Sequence, residues 1–249
     1  MPLVSSTGMI EAEQPLRPIR SFVRREGRIT PAQSRALKEL GPRYGVDFID
    51  TPIDFACLYG RSATVILEIG FGNGEALLAA AKAHPEVNYL GIEVYRPGVG
   101  GLLRRLESEA LENVRVILAD AKDVFAKLLP DGSITAIQLF FPDPWPKKRH
   151  HKRRLVQPDF AELMARKLKP GGYIHLATDW QDYATHMVSV LSHTPGLLRT
   201  GREGLTQEYS GIRPATKFEI RGKKLGYEIW EMVYIARTGH RLPGTGYAD

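Results

Sequence analysis

From residue 64 onward the chain alternates between short apolar runs and stretches of helical periodicity. Residues 64–69 (TVILEI), 88–93 (NYLGIE), 114–119 (VRVILA), 134–141 (ITAIQLFF) and 173–178 (YIHLAT) are apolar, mostly rich in β-branched side chains, and predict buried strands. Between them, residues 75–83 are alanine-rich, and 98–111, 158–168 and 180–193 predict further helices. The helix at 158 is expected to end in the loop Lys169-Pro170-Gly171-Gly172. Residues 227–236 form a last strand-like run. Upstream, Thr30-Pro31 reads as a hydroxyl N-cap with proline in the first turn, and Gly41-Pro42 as the stop of that helix. Residues 1–16 show no period and are expected to be disordered.

Near-continuous apolar strands separated by helices imply a mostly parallel sheet covered on both faces. The expected fold is a single doubly wound α/β domain spanning 30–249, preceded by a flexible basic arm at 1–29. There is no internal repeat and no sign of a second compact domain.

Charge adds a polyanion to this picture. The chain has 249 residues and a net charge of +6. Residues 17–28 hold five Arg and one Glu, and residues 147–154 hold six Lys or Arg and no acid. The two segments carry +4 and +6 against that total, so the remainder carries −4. Basicity concentrated on a mildly acidic body is the footprint of nucleic-acid contact, although a charge run can also be a solvated face. No run of about 18 apolar residues exists, which argues against a membrane span. Residues 1–10 are too polar for a signal-peptide core. The lone Cys57 has no partner for an internal disulfide, in keeping with a reducing cytoplasm.

In doubly wound sheets, ligands bind outside the carboxyl ends of the strands. The first strand runs into Glu68-Ile-Gly70-Phe-Gly72-Asn-Gly74, an E-x-G-x-G-x-G loop. A dinucleotide fingerprint would need its third glycine at position 75, which is Glu. An acid such as Glu68 suits the ammonium of S-adenosylmethionine and disfavours a pyrophosphate. The second strand ends at Glu93, near the ~20-residue offset of an acid that bonds a ribose diol. The third ends at Asp120-Ala121, where an Asp can accept from an adenine amino group. Each acid alone is equally well a helix cap; in register behind three strands they point to an adenosine cofactor.

The fourth strand leads into Pro142-Asp143-Pro144-Trp145-Pro146, whose three prolines make a rigid loop that cannot join the ladder. The basic run Lys147-Lys148-Arg149-His150-His151-Lys152-Arg153-Arg154 follows at once. A carboxylate, an aromatic ring able to stack on a base, and a polycation able to hold phosphates thus converge at one edge. His150 and His151 lack Cys or acid partners at ligand spacing, so no metal is expected.

These segments resemble the bacterial tRNA (guanine-N7)-methyltransferases. The matching pieces are LEIGFGNGE, GIEVYRPG, the AD at 119–120, FFPDPWPKKRHHKRRL, ATD at 177–179 and TKFE at 216–219, with RSFVRREGR resembling the family's arm. Ile220 departs from the basic residue expected there. The resemblance implies a Rossmann-like class I methyltransferase fold, S-adenosylmethionine as cofactor and tRNA as partner, with methylation at guanine N7 in the variable loop. It assigns Asp143 the catalytic position, and Glu68, Gly70, Gly72, Gly74, Glu93, Asp120, Ala121 and Asp143 to the cofactor. It assigns Lys147, Arg149, His150, His151, Lys152, Arg153, Arg154, Asp179, Thr216, Lys217, Phe218 and Glu219 to the substrate.

By their residues alone, Thr216-x-x-Glu219 is also a capping box and Asp179 a candidate cap for the helix at 180. Three rival functions keep part of the pattern: an NAD-dependent dehydrogenase, a non-catalytic RNA-binding protein, and an amino-group methyltransferase on RNA or DNA. Monomer and homodimer are both compatible with the sequence.

Overall fold

The computed structural model describes residues 21–22, 27–200 and 228–238. Thr216 to Glu219 and most of the arm at 1–29 lie outside the described residues. In chain order the elements are α1 (Pro31–Glu39), α2 (Gly41–Tyr44), α3 (Phe55–Tyr59), β1 (Val65–Ile69), α4 (Glu75–Ala83), β2 (Asn88–Glu93), α5 (Arg96–Ser108) and β3 (Val114–Leu118). There follow α6 (Ala121–Lys127), β4 (Ile134–Phe140), a 3₁₀ helix (Lys148–Arg153), α7 (Pro158–Lys167), β5 (Leu168–Thr178), α8 (Gln181–Ser192), β6 (Leu197–Thr200) and β7 (Trp230–Ala236).

The described strands form one sheet in the order β3-β2-β1-β4-β5-β7-β6. Strands β1 to β5 pair in parallel, and β7 runs antiparallel to both β5 and β6. The expected doubly wound α/β fold is what forms. The period-two geometry of a strand sends alternate side chains to opposite layers. In β1, Val65, Leu67 and Ile69 pack with Val124, Phe125, Phe160 and Met187 on one face. Ile66 points the other way, among Leu77, Leu102 and Leu103. Both faces are therefore dry, and truncating Ile66, which is fully buried, to Ala should cost about 2–5 kcal/mol.

The order reverses between β1 and β4: β2 and β3 lie to one side of β1, β4 and β5 to the other. That switch point opens a crevice at the strand ends. The start of α5 packs tightly against it. A Cβ on Gly98 would sit 2.1 Å from the Gly72 carbonyl, so only glycine lets helix and loop approach this closely.

Several boundaries differ from the sequence expectation. Thr30 caps α1, in a capping box with Gln33, and that helix ends at Glu39, just before Gly41-Pro42, as expected; Gly41-Pro42 also opens the short α2, which the sequence did not signal. Helix α5 spans Arg96–Ser108, shifted towards the N-terminus, because Pro97 fits its first turn; the chain then leaves the helix through Ala110 at φ +51. The loop expected at 169–172 belongs to β5, which pairs with β4 from Leu168 onward. The register shift between Ile134 and Ala136 absorbs the extra residues, with Gly171 at φ +78 making the bend. The helix α6 and the strand β6 carried too few periodic residues to be read from the pattern.

Candidate active site

The carboxyl ends of β1 to β4 open onto a cavity of 650 Å³. Its lining includes Glu68 near the end of β1 with Gly70 and Gly72 beyond it, Glu93 at the end of β2 with Tyr95 beyond it, Asp120 and Ala121 after β3, and Asp143 after β4. Four strand ends meet there because parallel strands in register all finish at the same edge. Ser21, Phe22 and Gly27 also line the cavity; they fall in the RSFVRREGR segment singled out by resemblance, but periodicity gave no sign that it reaches the cavity.

Gly70, Gly72 and Gly74 all lie in the left-handed region, at φ +72, +58 and +71. Side-chain-bearing residues resist that conformation, so the loop needs its glycines. Gly74, expected in the cofactor set with Gly70 and Gly72, stands one step back from them. It is absent from the cavity lining and caps α4, and a Cβ there would stand 2.9 Å from the Leu102 methyls. A glycine there lets α5 pack close to the loop.

Glu93 holds the crevice together. Its Oε2 accepts the Gly72 N–H at 2.7 Å, and its Oε1 accepts the N–H groups of Val94 and Tyr95 at 2.7 and 3.0 Å. An ionised carboxylate offers about four lone-pair positions, so one direction is left for a ligand hydroxyl. Asp120 has two duties: it caps α6 by accepting from the Lys122 N–H at 3.0 Å and it lines the cavity.

Glu68 is buried at the head of the glycine loop. Burial pushes its carboxyl up to about 8, and the negative charge of Glu93 adds to the shift. Two buried acids facing one cavity suit a cationic ligand. S-adenosylmethionine carries an ammonium and a sulfonium, so the residues present fit it.

Asp143 is exposed at the cavity rim. On either side of it, Phe141 and Trp145 sit at φ +51 and +47. Non-glycine residues in that region cost about 1–3 kcal/mol each and persist only where contacts hold them. The Phe141 N–H donates to the Ala177 carbonyl at 2.8 Å. The Trp145 Nε1–H donates to the Ser21 carbonyl at 3.1 Å, Arg153 lies 5.0 Å over the Trp145 ring, and His150 meets its edge. The indole is thus already engaged and pins the arm segment to the basic helix.

The polycation splits into two populations. Lys147, Lys148, Arg149 and Lys152 are exposed. His150 is surrounded by like charge: partial desolvation lowers its pKa first, and Arg149, Arg153, Lys147 and Lys152 lower it further. Arg154 departs from the expectation that it contacts substrate. It is 2% exposed, the largest fully buried side chain described. Its guanidinium is bonded to Asp182, to the Pro144 carbonyl at 3.0 Å and to His151 at 3.2 Å, and lies 4.9 Å over the Tyr183 ring. An arginine so enclosed cannot also reach a phosphate.

Asp179 does not cap α8, whose N-cap is Trp180 without a side-chain cap; Thr178 accepts the Trp180 N–H instead. Asp179 lies at the end of β5, outside the cavity lining. Among the described residues no cluster of three His, Cys, Asp or Glu is placed to hold a metal, and no helix is long and apolar enough to cross a membrane.

Residues 62–232 match the model of a family described as "Putative methyltransferase". A tRNA (guanine-N(7)-)-methyltransferase of Nitrosococcus oceani is 57% identical over 222 residues, covering 89% of this chain and 92% of that protein. Proteins of the same name from Alkalilimnicola ehrlichii and Klebsiella pneumoniae are 55% and 52% identical, covering 89% and 90% of this chain and 94% of each relative. Identity at this level over nine-tenths of the chain, together with the strand-end acids and the PDPW loop, establishes that this chain belongs to the tRNA (guanine-N(7)-)-methyltransferase family.

Proposed function

We propose that the protein transfers a methyl group from S-adenosylmethionine to N7 of a guanine in tRNA. The observation that carries this reading is the shared rim: Asp143, at the end of β4, lines the same cavity as Glu68 and Glu93 and stands five residues before an exposed cationic helix. The variable-loop guanine is the proposed target, by family resemblance, and the cytoplasm the proposed compartment.

When bound, the cofactor supplies an electrophilic methyl group on a sulfonium. Glu68 faces its amino-acid portion as a buried acid, Glu93 accepts from a ribose hydroxyl, and Asp120 with Ala121 borders the adenine. Guanine N7 has its own lone pair and needs no deprotonation, so positioning supplies much of the rate. The purine becomes cationic as the methyl moves, and a fixed carboxylate beside it stabilises that charge. Asp143 takes this role. Lys147, Arg149 and Lys152 hold phosphates, and His150, His151, Arg153 and Asp179 border the bound RNA. A tRNA loop presents its base at low unstacking cost.

Labelled methyl transfer into unmodified tRNA, followed by nucleoside analysis, tests the reading. Label in 7-methylguanosine supports it. Label in an exocyclic amine would favour the amino-group alternative, and tRNA binding without transfer the non-catalytic one.

A further inference from the structure

We infer that Arg154 is a positioning residue that sets the backbone of the Asp143 loop and couples it to α8. This rests on the proposed role of Asp143. The loop cannot hold itself: it has two left-handed non-glycine residues, Phe141 and Trp145, and three prolines that donate no backbone hydrogen bond. Arg154 supplies what the prolines lack. Its Nε–H donates to the carbonyl of Pro144, the residue directly after Asp143, at 3.0 Å.

The guanidinium is itself fixed from the opposite side. Asp182, in the first turn of α8, pairs with its Nη2, and the Tyr183 ring lies beneath it. The Tyr183 hydroxyl accepts the Val156 N–H at 3.2 Å, which locks the chain just beyond Arg154 to the same helix. A planar fork that bonds three partners at once and stacks on a ring is a task for Arg and not for Lys. Arg154 thus transmits the position of α8 to the loop that carries Asp143, and it does so without reaching the RNA.

The test compares wild type, Arg154→Met, Asp182→Asn and the double variant. Arg154→Met keeps the packing on Tyr183 and removes the fork. The Asp182 side chain is 63% exposed, against 1% for Arg154, so Arg154→Met leaves no buried charge behind. Asp182→Asn keeps a carbonyl acceptor for the guanidinium and removes only the charge. Single-turnover methyl transfer is measured with tRNA and S-adenosylmethionine saturating, beside the dissociation constants of both and the salt dependence of tRNA binding.

The expected result for Arg154→Met is a rate about 10²-fold lower, the order of loss for a displacement near 1 Å, with tRNA affinity and salt slope as in wild type. Asp182→Asn should move the rate the same way by less, and the double variant should be no slower than Arg154→Met, because the two act as one unit. A reduced tRNA affinity with a flattened salt slope and an unchanged saturated rate would make Arg154 a phosphate ligand and overturn the inference. A lower melting temperature with an unchanged rate per folded molecule would overturn it too. If Arg154→Met does not fold, Asp182→Asn decides alone: a wild-type rate overturns the inference, a lowered rate at wild-type affinities supports it. A wild-type enzyme that transfers no methyl to guanine N7 would instead sink the functional reading beneath it.

Discussion

The Glu93 carboxylate accepts the backbone N–H of Gly72 at 2.7 Å, tying the end of β2 to the glycine loop that follows β1. One side chain therefore shapes the loop and faces the cavity. Replacing it by Gln keeps the size but halves the acceptor capacity. Glu93→Ala removes the tether as well as the ribose partner. S-adenosylmethionine binding should weaken by about 1–3 kcal/mol, the cost of leaving polar groups unpaired. Calorimetry giving the wild-type dissociation constant for Glu93→Ala would refute the assignment.

Glu68 sets a pH dependence with a definite sign. Its carboxyl is raised from an ordinary 4.5 to about 8 by burial and by Glu93. Between those values the folded state holds a proton that the unfolded state has released. The stability contributed by this group is therefore full below about 4.5 and falls as pH rises towards 8. Glu68→Gln should become progressively more stable than wild type, without cofactor, as the pH of a melting series rises from 5 to 8. A difference independent of pH would exclude Glu68 as its source.

The same group should release a proton when a cation binds. A sulfonium and an ammonium in the cavity favour the ionised carboxylate, so affinity for S-adenosylmethionine should increase with pH up to about 8. Calorimetry at pH 7 in buffers of different ionisation enthalpy should detect up to one proton released in wild type and none from this site in Glu68→Gln. Equal heats in all buffers for wild type would contradict this coupling.

Neutralising Lys147, Arg149 and Lys152 together should weaken tRNA binding and flatten its salt dependence, by about 0.7–0.9 in logarithmic slope for each phosphate no longer neutralised. S-adenosylmethionine affinity should not change, because these side chains lie outside the cavity lining. An unaltered slope would mean that this cationic helix is a solvated face.

Asp143→Asn separates chemistry from binding. If its charge stabilises the methylated guanine, the interaction is stronger in the transition state than in the ground state. With cofactor and tRNA saturating, the single-turnover rate should fall about 10²-fold or more, while the tRNA dissociation constant changes far less. A wild-type rate would leave the loop as a scaffold only.

Much of this protein could be read from sequence because local rules and the fold agree. Near-continuous apolar runs placed β1 to β4 closely and the buried half of β5, since a strand buried on both faces tolerates little else. Glu68, Glu93 and Asp120 were legible because parallel strands finish at one edge, so position in the strand predicts position in the cavity. The PDPWP segment announced itself by three prolines that no ladder could use. Tertiary structure decided what composition cannot distinguish. Within eight consecutive basic or His residues, Lys147 and Arg149 face solvent while Arg154 is enclosed by Asp182, Tyr183 and Pro144; charge is a property of the residue, but burial depends on what α8 brings to it. Gly74 likewise shares a motif with Gly70 and Gly72, yet Leu102 of α5 gives it a packing role. The Ser21 carbonyl reaches Trp145 across 124 residues, a contact between polar atoms with no periodic signature. Periodicity reports which way a side chain faces relative to its own element, and only the packed chain determines what stands opposite.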